Sequence, residues 1–363
     1  MKVCYIGPFD PEYPRNRVII KGLRKNGVEV VECNSQSVNR IIDYFKILTS
    51  HLAVKCDVII LGARGMYYGQ PLLPFIKRIT NKPIVFDAML TLYERSVSDR
   101  KTVSINSINA NLLYLLDYNA LHGANLVLSD TNAHSSYYSR FYDIDSKKIR
   151  RVLVGSDDEF FYPRKNIKED TCFKVLFWGG FIPLQGVKYI IKAAKLLENH
   201  KDIKFELRGF GQTYKEAVEL YRCIKAENVI LIPNWLPYQA LPDYISKADA
   251  CLGIFGETEK AMRVIPNKAI EALAMRKPLI TGDSPAAREI LTNMDNSLLV
   301  PMADSKMLAD AILTLKEDKN LRDRIAEKGY QLFRKNLTPK VIGSKLKLIL
   351  TEVAKEQQHK PLV

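Results

Sequence analysis

The chain has 363 residues, of which 47% are hydrophobic and 26% are charged, and this composition predicts two globular domains and excludes a disordered chain. The formal net charge is +14, which favours a polyanionic partner such as nucleic acid, an anionic membrane surface or a phosphorylated substrate. A solvated basic surface without such a partner explains the charge equally well.

The first half alternates short apolar segments with longer amphipathic ones. Strands are predicted at KVCYIG, VEVVEC, DVIILG, PIVFDA, NLVLSD and IRRVLVG, and helices at NRVIIKGLRKNG, SVNRIIDYFKILTSHL and QPLLPFIKRIT. Nearly continuous apolar strands joined by helical crossovers predict a parallel sheet that is covered on both faces.

Residues 155–171 interrupt this alternation, because they are polar and charged and have no clear periodicity. Beyond them, strands are predicted at FKVLFWGG, IKFELRG, VILIPN, ACLGIF and KPLITG, with helices between them. We therefore predict an α/β fold with two doubly wound, Rossmann-like parallel-sheet domains facing across a cleft. The predicted divisions are an N-terminal domain at 1–162, a linker at 163–171, a second domain at 172–340 and a terminal helix at 341–363 with the option of packing back on the first domain.

Six cysteines are scattered along the chain, and no two of them form a CxxC pair. Several lie in apolar strands, where a free cysteine behaves as a small hydrophobic residue. We expect reduced thiols, a cytoplasmic protein and no bound metal, since no Cys/His cluster has the spacing of metal ligands. There is no signal-peptide pattern and no apolar run of the ~20 residues that span a bilayer, so membrane contact would be peripheral, on the inner face.

Four motifs follow one another in the second half: FWGGFIPLQGVKYIIKAAKLL, FELRGFGQ, LPDYISKADACLGIF and PNKAIEALAMRKPLITGD. Together they resemble the donor-binding domain of the GT-B glycosyltransferases of family four, which transfer a sugar from a nucleotide sugar with retention. The resemblance covers most of 172–350, whereas the first half is similar only as a type of domain. It implies the GT-B fold, a nucleotide-sugar co-substrate and no metal cofactor.

A glycine-rich turn follows the strand FKVLFW. Gly179, Gly180 and Gly186 would let backbone N–H groups approach a phosphate at a helix N-terminus, although a turn that serves only packing is the alternative. The resemblance implies two cations in this turn, and Gly180 and Gln185 stand in their places. Both charges are therefore absent.

Two further strand ends are candidates for donor contacts. Arg208 and Gly209 follow one strand, where the glycine would let a nucleotide lie on the backbone and Arg208 would face the phosphates or the solvent. Asn234 and Trp235 follow the next strand, where the resemblance implies a slot for the nucleobase. A tryptophan that packs at the rim is the alternative.

The resemblance also implies two glutamates separated by seven residues. The second matches Glu271, whose carboxylate would bind the two ribose hydroxyls, but Arg263 stands in the place of the first. Pro266, Asn267 and Lys268 match a PxK tripeptide found in some members of the family.

These departures suggest that the charge neutralising the donor diphosphate has moved across the pocket. The glycine turn lacks its cations, whereas Lys260, Arg263 and Lys268 are gained nearby. A helix that begins at about Asn267 would add its positive end. In the alternative, Lys260 and Arg263 are solvated and only Lys268 contributes.

In the first half, several polar residues follow predicted strands. Gly7 lies at the end of the first strand, and Arg15 and Arg17 begin the next helix, where they would meet a phosphate or be solvated. Asp87 follows the fourth strand, at a ligand-facing location, in a region where the resemblance implies a histidine. We predict that Asp87 orients an acceptor hydroxyl and that Arg100, on a later loop, also lies on the acceptor side.

Asp130, Thr131 and His134 follow the fifth strand. Asp130 is predicted on the acceptor side, and either Asp130 or Thr131 as the N-cap of the next helix. His134 is expected on the surface. Asp87 and Glu271 are the two residues predicted to serve the reaction directly.

These features predict a retaining, metal-independent glycosyltransferase that acts on a saccharide or lipid-linked acceptor in cell-surface glycan or glycolipid synthesis. Electrostatic preorganisation would supply most of the rate. A non-catalytic GT-B binding subunit and a nucleotide-sugar epimerase are the alternatives. The basic helices VIIKGLRKNG and FIKRITNK predict an anionic membrane surface as a partner, and no motif predicts nucleic acid.

Overall fold

The protein divides into two units in a computed structural model, which describes residues 1–35, 39–52, 54–62, 69–164 and 171–358. Unit 1 contains Met1–Asp157 and the chain from Thr338 onward, and unit 2 contains Asp158–Leu337. Residues 165–170 of the predicted linker and 359–363 of the predicted terminal helix lie outside the described residues.

Unit 1 is built on a six-stranded parallel sheet with the order β2-β1-β3-β4-β5-β6. Its strands are β1 (Lys2–Ile6), β2 (Glu29–Cys33), β3 (Val58–Leu61), β4 (Ile84–Asp87), β5 (Leu126–Ser129) and β6 (Ile149–Arg151). Cys4 lies opposite Val31 in β2 and Ile59 in β3, and the order reverses between β1 and β3. In doubly wound sheets, ligands bind outside the carboxyl ends of the strands at such a switch point.

Helices cover both faces of this sheet, as the continuous apolar strands predict. They include α1 (Pro14–Lys25), α2 (Arg40–Leu52), α3 (Leu73–Ile79), α4 (Ile108–Gly123) and α5 (Asn132–Phe141). α2 to α5 pack on the face that carries Cys4 and Ile59, and α1 packs on the face that carries Tyr5 and Ile60. Each face therefore has its own hydrophobic core.

Unit 2 has a second parallel sheet, with the order β12-β11-β10-β7-β8-β9. Its strands are β7 (Phe173–Trp178), β8 (Ile203–Arg208), β9 (Val229–Ile232), β10 (Ala250–Leu252), β11 (Leu279–Gly282) and β12 (Leu298–Val300). Its helices are α6 (Val187–Leu196), α7 (Tyr214–Ile224), α8 (Leu241–Ser246), α9 (Asn267–Ala274), α10 (Ser305–Glu317) and α11 (Lys319–Asn336). The order reverses between β7 and β10, so the glycine turn after β7 lies at the switch point.

The last helix, α12 (Pro339–Gln358), belongs to unit 1 and packs against α1. A Cβ atom on Gly22 of α1 would lie 2.3 Å from the carbonyl oxygen of Pro339, so the two backbones are nearly in contact. Ile342 and Leu346 of α12 are buried in the same core as Val18 of α1. α12 therefore covers the apolar side of α1.

No helix in the described part of the chain is both long enough and apolar enough to cross a membrane.

Candidate active site

Arg15 and Asp87 bind each other in the interior of unit 1. The Arg15 Nε and Nη2 atoms donate to the Asp87 carboxylate over 2.7–2.9 Å, and Nη1 donates to the carbonyl oxygen of Val152 at 2.9 Å. Arg15 is 1% exposed, and although burial alone would lower its pKa, Asp87 raises it. These contacts correct both predictions: Arg15 is not placed for a phosphate, and the Asp87 carboxylate, fully buried, is not placed for an acceptor hydroxyl.

His134 is fully buried between two carboxylates, so the expectation that it lies on the surface is wrong. Its Nδ1 is 2.7 Å from Asp130 Oδ1 and its Nε2 is 3.0 Å from Glu94 Oε2. Burial alone would lower the pKa of His134, but the two carboxylates raise it to about 9. Asp130 is therefore engaged within unit 1 instead of being left open to an acceptor.

The elements around His134 explain why it is buried. The Thr131 side chain caps α5 by accepting a hydrogen bond from the His134 backbone N–H at 3.0 Å. Thr131 is one of the two residues that the sequence predicts as the N-cap. In a helix that begins there, the His134 side chain lies beside Tyr138 in the core, and the centroids of the two rings are 4.4 Å apart. Glu94 begins a π-helix, Glu94–Asp99, for which the sequence has no local signal.

The raised pKa of His134 makes stability depend on pH. The folded state holds this proton up to about pH 9, whereas an unfolded histidine releases it near pH 6.5, so the stabilisation is complete below about 6.5 and lost as the pH rises through about 9. We expect the free energy of unfolding from urea titration to fall by roughly 2–3 kcal/mol more between pH 6.5 and 9.5 in the wild type than in His134→Gln. Parallel pH profiles for the two proteins would contradict this role.

The remaining predicted residues of unit 1 differ in their surroundings. The Arg17 guanidinium pairs with Glu12 and lies 3.9 Å from Asp157 Oδ2, so it is already compensated by carboxylates. Gly7 follows β1 with a φ of 135°, and Arg100 ends the π-helix. The acceptor-side roles of Gly7 and Arg100 stay predictions.

In unit 2, the ends of β7 and β8 touch through two glycines. The Gly179 N–H donates to the carbonyl oxygen of Arg208 at 3.0 Å, and a Cβ atom on Gly209 would lie 1.9 Å from the Gly179 carbonyl oxygen. Gly209 also has a φ of 143°, which L side chains rarely adopt. Glycine at this position therefore lets the two strand ends form one backbone surface at the switch point.

The Lys268 ammonium lies against the glycine turn. Its Nζ donates to Gln185 Oε1 at 2.5 Å and lies 3.5 Å from the centroid of the Phe177 ring. A Cβ atom on Gly179 would lie only 2.9 Å from the same Nζ. Burial lowers the pKa of Lys268 well below its usual value. A cation from α9 thus contacts Gln185, which stands where the resemblance implies a cation of the turn itself.

Glu271 lies one turn further along α9, a helix that begins at Asn267 with Pro266 as its N-cap. Glu271 Oε2 accepts a hydrogen bond from Trp178 Nε1 at 2.8 Å. Burial raises the pKa of Glu271 to about 7, although Trp178 and Lys268 act in the opposite direction. Trp178 was not predicted from the sequence, where its signal is an indole N–H on the last strand residue before the glycine turn.

Arg208 is held by its own surroundings. Its Nε and Nη2 donate to Glu206 Oε1 at 3.1 and 3.0 Å, and its Nη1 donates to Asn234 Oδ1 at 2.8 Å. The guanidinium also lies 4.3 Å from the centroid of the Tyr244 ring. These contacts correct the prediction that Arg208 faces the phosphates, and they give the Asn234 side chain a positioning partner.

Trp235 is brought beside the glycine turn. A Cβ atom on Gly180 would lie 3.6 Å from Trp235 Cη2, and the tryptophan is 62% exposed. Gly186, at the other end of the turn, is the N-cap of α6. An exposed indole face and the glycine turn are therefore neighbours.

The two other cations near α9 are placed differently from Lys268. Arg263 Nη1 donates to Glu259 Oε2 at 3.2 Å, so a carboxylate partly neutralises its charge. Lys260 is buried in the 3₁₀ turn Glu259–Met262. Lys268 donates to Gln185 of the glycine turn.

The described residues contain no group of three or more His, Cys, Asp or Glu side chains placed to hold a metal ion.

Comparisons with known proteins connect unit 2 with a family. Residues 158–332 match the family model of the glycosyl transferases group 1. The α-D-kanosaminyltransferase of Streptomyces kanamyceticus is 22% identical over 303 residues, which cover 80% of this chain and 75% of that relative. The chain is a glycosyltransferase whose residues 158–332 match group 1. The predicted resemblance to this family is thereby confirmed.

Solved structures confirm the predicted GT-B fold of this glycosyltransferase. HepE from Anabaena, in complex with UDP and glucose, has a TM-score of 0.74 at 15% identity and matches 97% of this chain and 100% of its own. Sucrose-phosphate synthase from Thermosynechococcus elongatus has a TM-score of 0.76 at 15% identity and matches 98% and 100%. The two six-stranded parallel sheets are those of the GT-B fold.

Proposed function

We propose that unit 2 binds a nucleotide-sugar donor and that the enzyme moves its sugar to a hydroxyl of a saccharide or lipid-linked acceptor. The observation that carries the proposal is the position of Lys268, whose ammonium occupies the glycine turn at the switch point of the sheet. A diphosphate needs compensating charge, and parallel sheets of this kind bind nucleotides at the switch point.

The diphosphate binds between the glycine turn and the start of α9. Gly179 and Gly180 present backbone without side chains, and Lys268 supplies the cation. The first turn of α9 adds the positive end of its dipole. Burial lowers the pKa of Lys268, and a bound diphosphate would favour its charged form. The resulting ion pair would be screened less than one made by a surface lysine.

Glu271 and Trp235 bind the rest of the nucleotide. The Glu271 carboxylate is held by the Trp178 indole, which leaves its second oxygen for the ribose hydroxyls. Trp235 offers an exposed aromatic face beside Gly180, suited to stacking on a base. HepE, a structural relative, has been crystallised with UDP-glucose, so UDP-sugars are the first donors to test.

The proposed reaction retains the configuration of the sugar and uses no bound metal. The bond between the anomeric carbon and the diphosphate oxygen breaks as the acceptor oxygen bonds to that carbon, and the acceptor proton passes to the departing phosphate. Lys268 and the start of α9 stabilise the charge that develops on the leaving group. This route needs no side-chain base, which agrees with the burial of Asp87 in its pair with Arg15.

The geometry weighs against both alternatives from the sequence. The hypothesis of a non-catalytic binding subunit rested partly on the cations that the glycine turn lacks, and Lys268 of α9 supplies a cation there. The hypothesis of an epimerase needs free carboxylates in the first domain. Asp87 instead pairs with Arg15, and Asp130 pairs with His134. A transferase in cytoplasmic synthesis of cell-surface glycans or glycolipids is the proposal that remains.

The proposal is tested by thermal unfolding and by turnover with a panel of nucleoside diphosphates and nucleotide sugars. We expect the nucleotides that carry one particular base to raise the melting temperature of the protein. A ligand that binds only the folded state stabilises it by RT ln(1 + [L]/Kd). We also expect slow release of the free sugar or its transfer to an added acceptor. Failure of every nucleotide to stabilise the protein would overturn the proposal, and binding without turnover would favour the non-catalytic subunit.

Replacing Trp178 by phenylalanine removes the hydrogen bond that holds Glu271. A hydrogen bond to a charged group contributes about 1.5–3 kcal/mol, so we expect nucleoside diphosphate affinity to fall roughly tenfold or more. The loss of the indole N–H also raises the pKa of Glu271, and because the carboxylate form binds the ribose, the acidic limb of the binding profile should move to higher pH. In a Glu271→Gln background, Trp178→Phe should change little, and an undiminished effect there in calorimetric titrations would contradict the link.

A further inference from the structure

The side of unit 1 formed by α2, α3 and α4 is apolar on its outside. The inner sides of these helices pack on the sheet through Ile47, Leu73 and Leu121, and α3 contacts both α2 and α4. Their opposite sides therefore form one surface, which we call the outer helix face. It carries exposed Ile41, Phe45, Phe75, Ile79, Ile108 and Leu112.

Single exposed hydrophobic side chains are common, but this set is concentrated. Ile41 is 80% exposed, Phe45 is 69% exposed and Ile108 is 86% exposed. Ile108 and Leu112 are four residues apart, so they lie one above the other on the same side of α4. Apolar patches of this kind mark contact sites with proteins or membranes.

The charges of the same helices are all of one sign at the surface. The exposed charged side chains described on them are Lys46, Lys77 and Arg78. Asp43 and Asp117, the two carboxylates of these helices, are both fully buried. Asp43 accepts a hydrogen bond from Ser35, and Asp117 accepts from the backbone N–H groups of Leu92 and Tyr93. The outer helix face thus combines apolar side chains with positively charged ones.

We propose that the outer helix face docks on the anionic surface of a lipid bilayer. The apolar side chains enter the boundary between headgroups and acyl chains, and Lys46, Lys77 and Arg78 meet lipid phosphates. A second copy of the chain fits less well, because a two-fold interface would bring these cations against their own copies. Unit 1 carries this inference, which stands independently of donor binding in unit 2.

The position of this face corrects one part of the sequence prediction. Of the two basic segments predicted to face a membrane, FIKRITNK forms most of α3 and lies on the outer helix face. VIIKGLRKNG contains the last two turns of α1, whose apolar side is covered by α12. Only the first segment therefore presents apolar and basic side chains together.

Flotation with phosphatidylcholine vesicles, with and without phosphatidylglycerol, tests the proposal. The wild type should float only with phosphatidylglycerol and should bind more weakly as salt is added. Phe45→Ser with Phe75→Ser, and separately Lys77→Gln with Arg78→Gln, should each lower the bound fraction about tenfold. Leu348→Ser, which removes an equally exposed leucine from α12, is the matched control and should bind like the wild type.

Several outcomes would overturn the inference. They are no flotation at low salt, equal binding to both vesicle types, or an equal loss in Leu348→Ser. A dimer in solution that Phe45→Ser with Phe75→Ser converts to a monomer, without vesicle binding, would assign the outer helix face to a second copy. Circular dichroism of each variant reports folding, and nucleotide titration separately reports donor binding, so failure of one proposal is distinguishable from failure of the other.

Discussion

Replacing Lys268 by methionine is expected to weaken nucleoside diphosphate binding roughly 10- to 100-fold. The substitution keeps much of the side-chain volume beside Phe177 but removes the amino group that donates to Gln185 in the glycine turn. Charge-assisted hydrogen bonds contribute about 1.5–3 kcal/mol, and each 1.4 kcal/mol is a factor of about ten in affinity. Calorimetric titration of the wild type and the variant with the same nucleotide measures the change.

Two controls isolate the role of the ammonium. Lys328→Met removes the same charge from an exposed position on α11 and should leave the affinity within about twofold, since exposed charges are screened by solvent. The nucleoside without phosphates should bind Lys268→Met and the wild type similarly. Equal loss of nucleoside and nucleoside diphosphate binding would mean that Lys268 supports the fold of the pocket and does not bind the diphosphate.

Replacing Asp87 by alanine is expected to destabilise unit 1 by about 3–5 kcal/mol. The substitution leaves the Arg15 guanidinium buried without its carboxylate, and only its hydrogen bond to Val152 remains. Urea unfolding followed by circular dichroism measures the loss. Replacing both residues, by Arg15→Met with Asp87→Leu, should restore much of the stability, because hydrophobic residues often replace a buried ion pair at little cost.

An ion pair at the surface serves as the matched comparison for the buried pair of Arg15 and Asp87. Arg24 and Glu32 lie 2.9 Å apart, but the arginine is half exposed, so Glu32→Ala should cost less than about 1 kcal/mol. If Asp87 oriented an acceptor hydroxyl, as the sequence predicts, Asp87→Ala would abolish transfer and leave stability nearly unchanged. That pattern would refute the structural assignment of the pair.

The architecture follows from the sequence because parallel sheets leave a strong local signal. The first eleven strands lie within segments that the sequence predicts as strands, such as PIVFDA for β4 and FKVLFWGG for β7. The sequence did not predict β12, at Leu298–Val300. It also did not predict the π-helix, which depends on the surrounding packing.

The donor-side residues were predictable to the extent that they lie in motifs. Lys268 and Glu271 were named from the order and spacing of motifs, and the turn of Gly179 was recognised from its glycines. Their partners were not predictable, because Lys268 meets Gln185 83 positions away and Glu271 meets Trp178 93 positions away. No local pattern records contacts over such separations.

The sequence by itself determined the fold class, the resemblance to the group 1 glycosyltransferases and the positions of most strands, because periodicity and motif order are local properties of the chain. The tertiary structure alone decided which polar side chains are already satisfied. Arg15 and Asp87, 72 positions apart, read as ligand-binding residues until the fold joins them in the core. The tertiary structure also decided that Ile108 and Leu112 of α4 face outward. An apolar residue favours burial, but the sequence does not specify the surface that covers it.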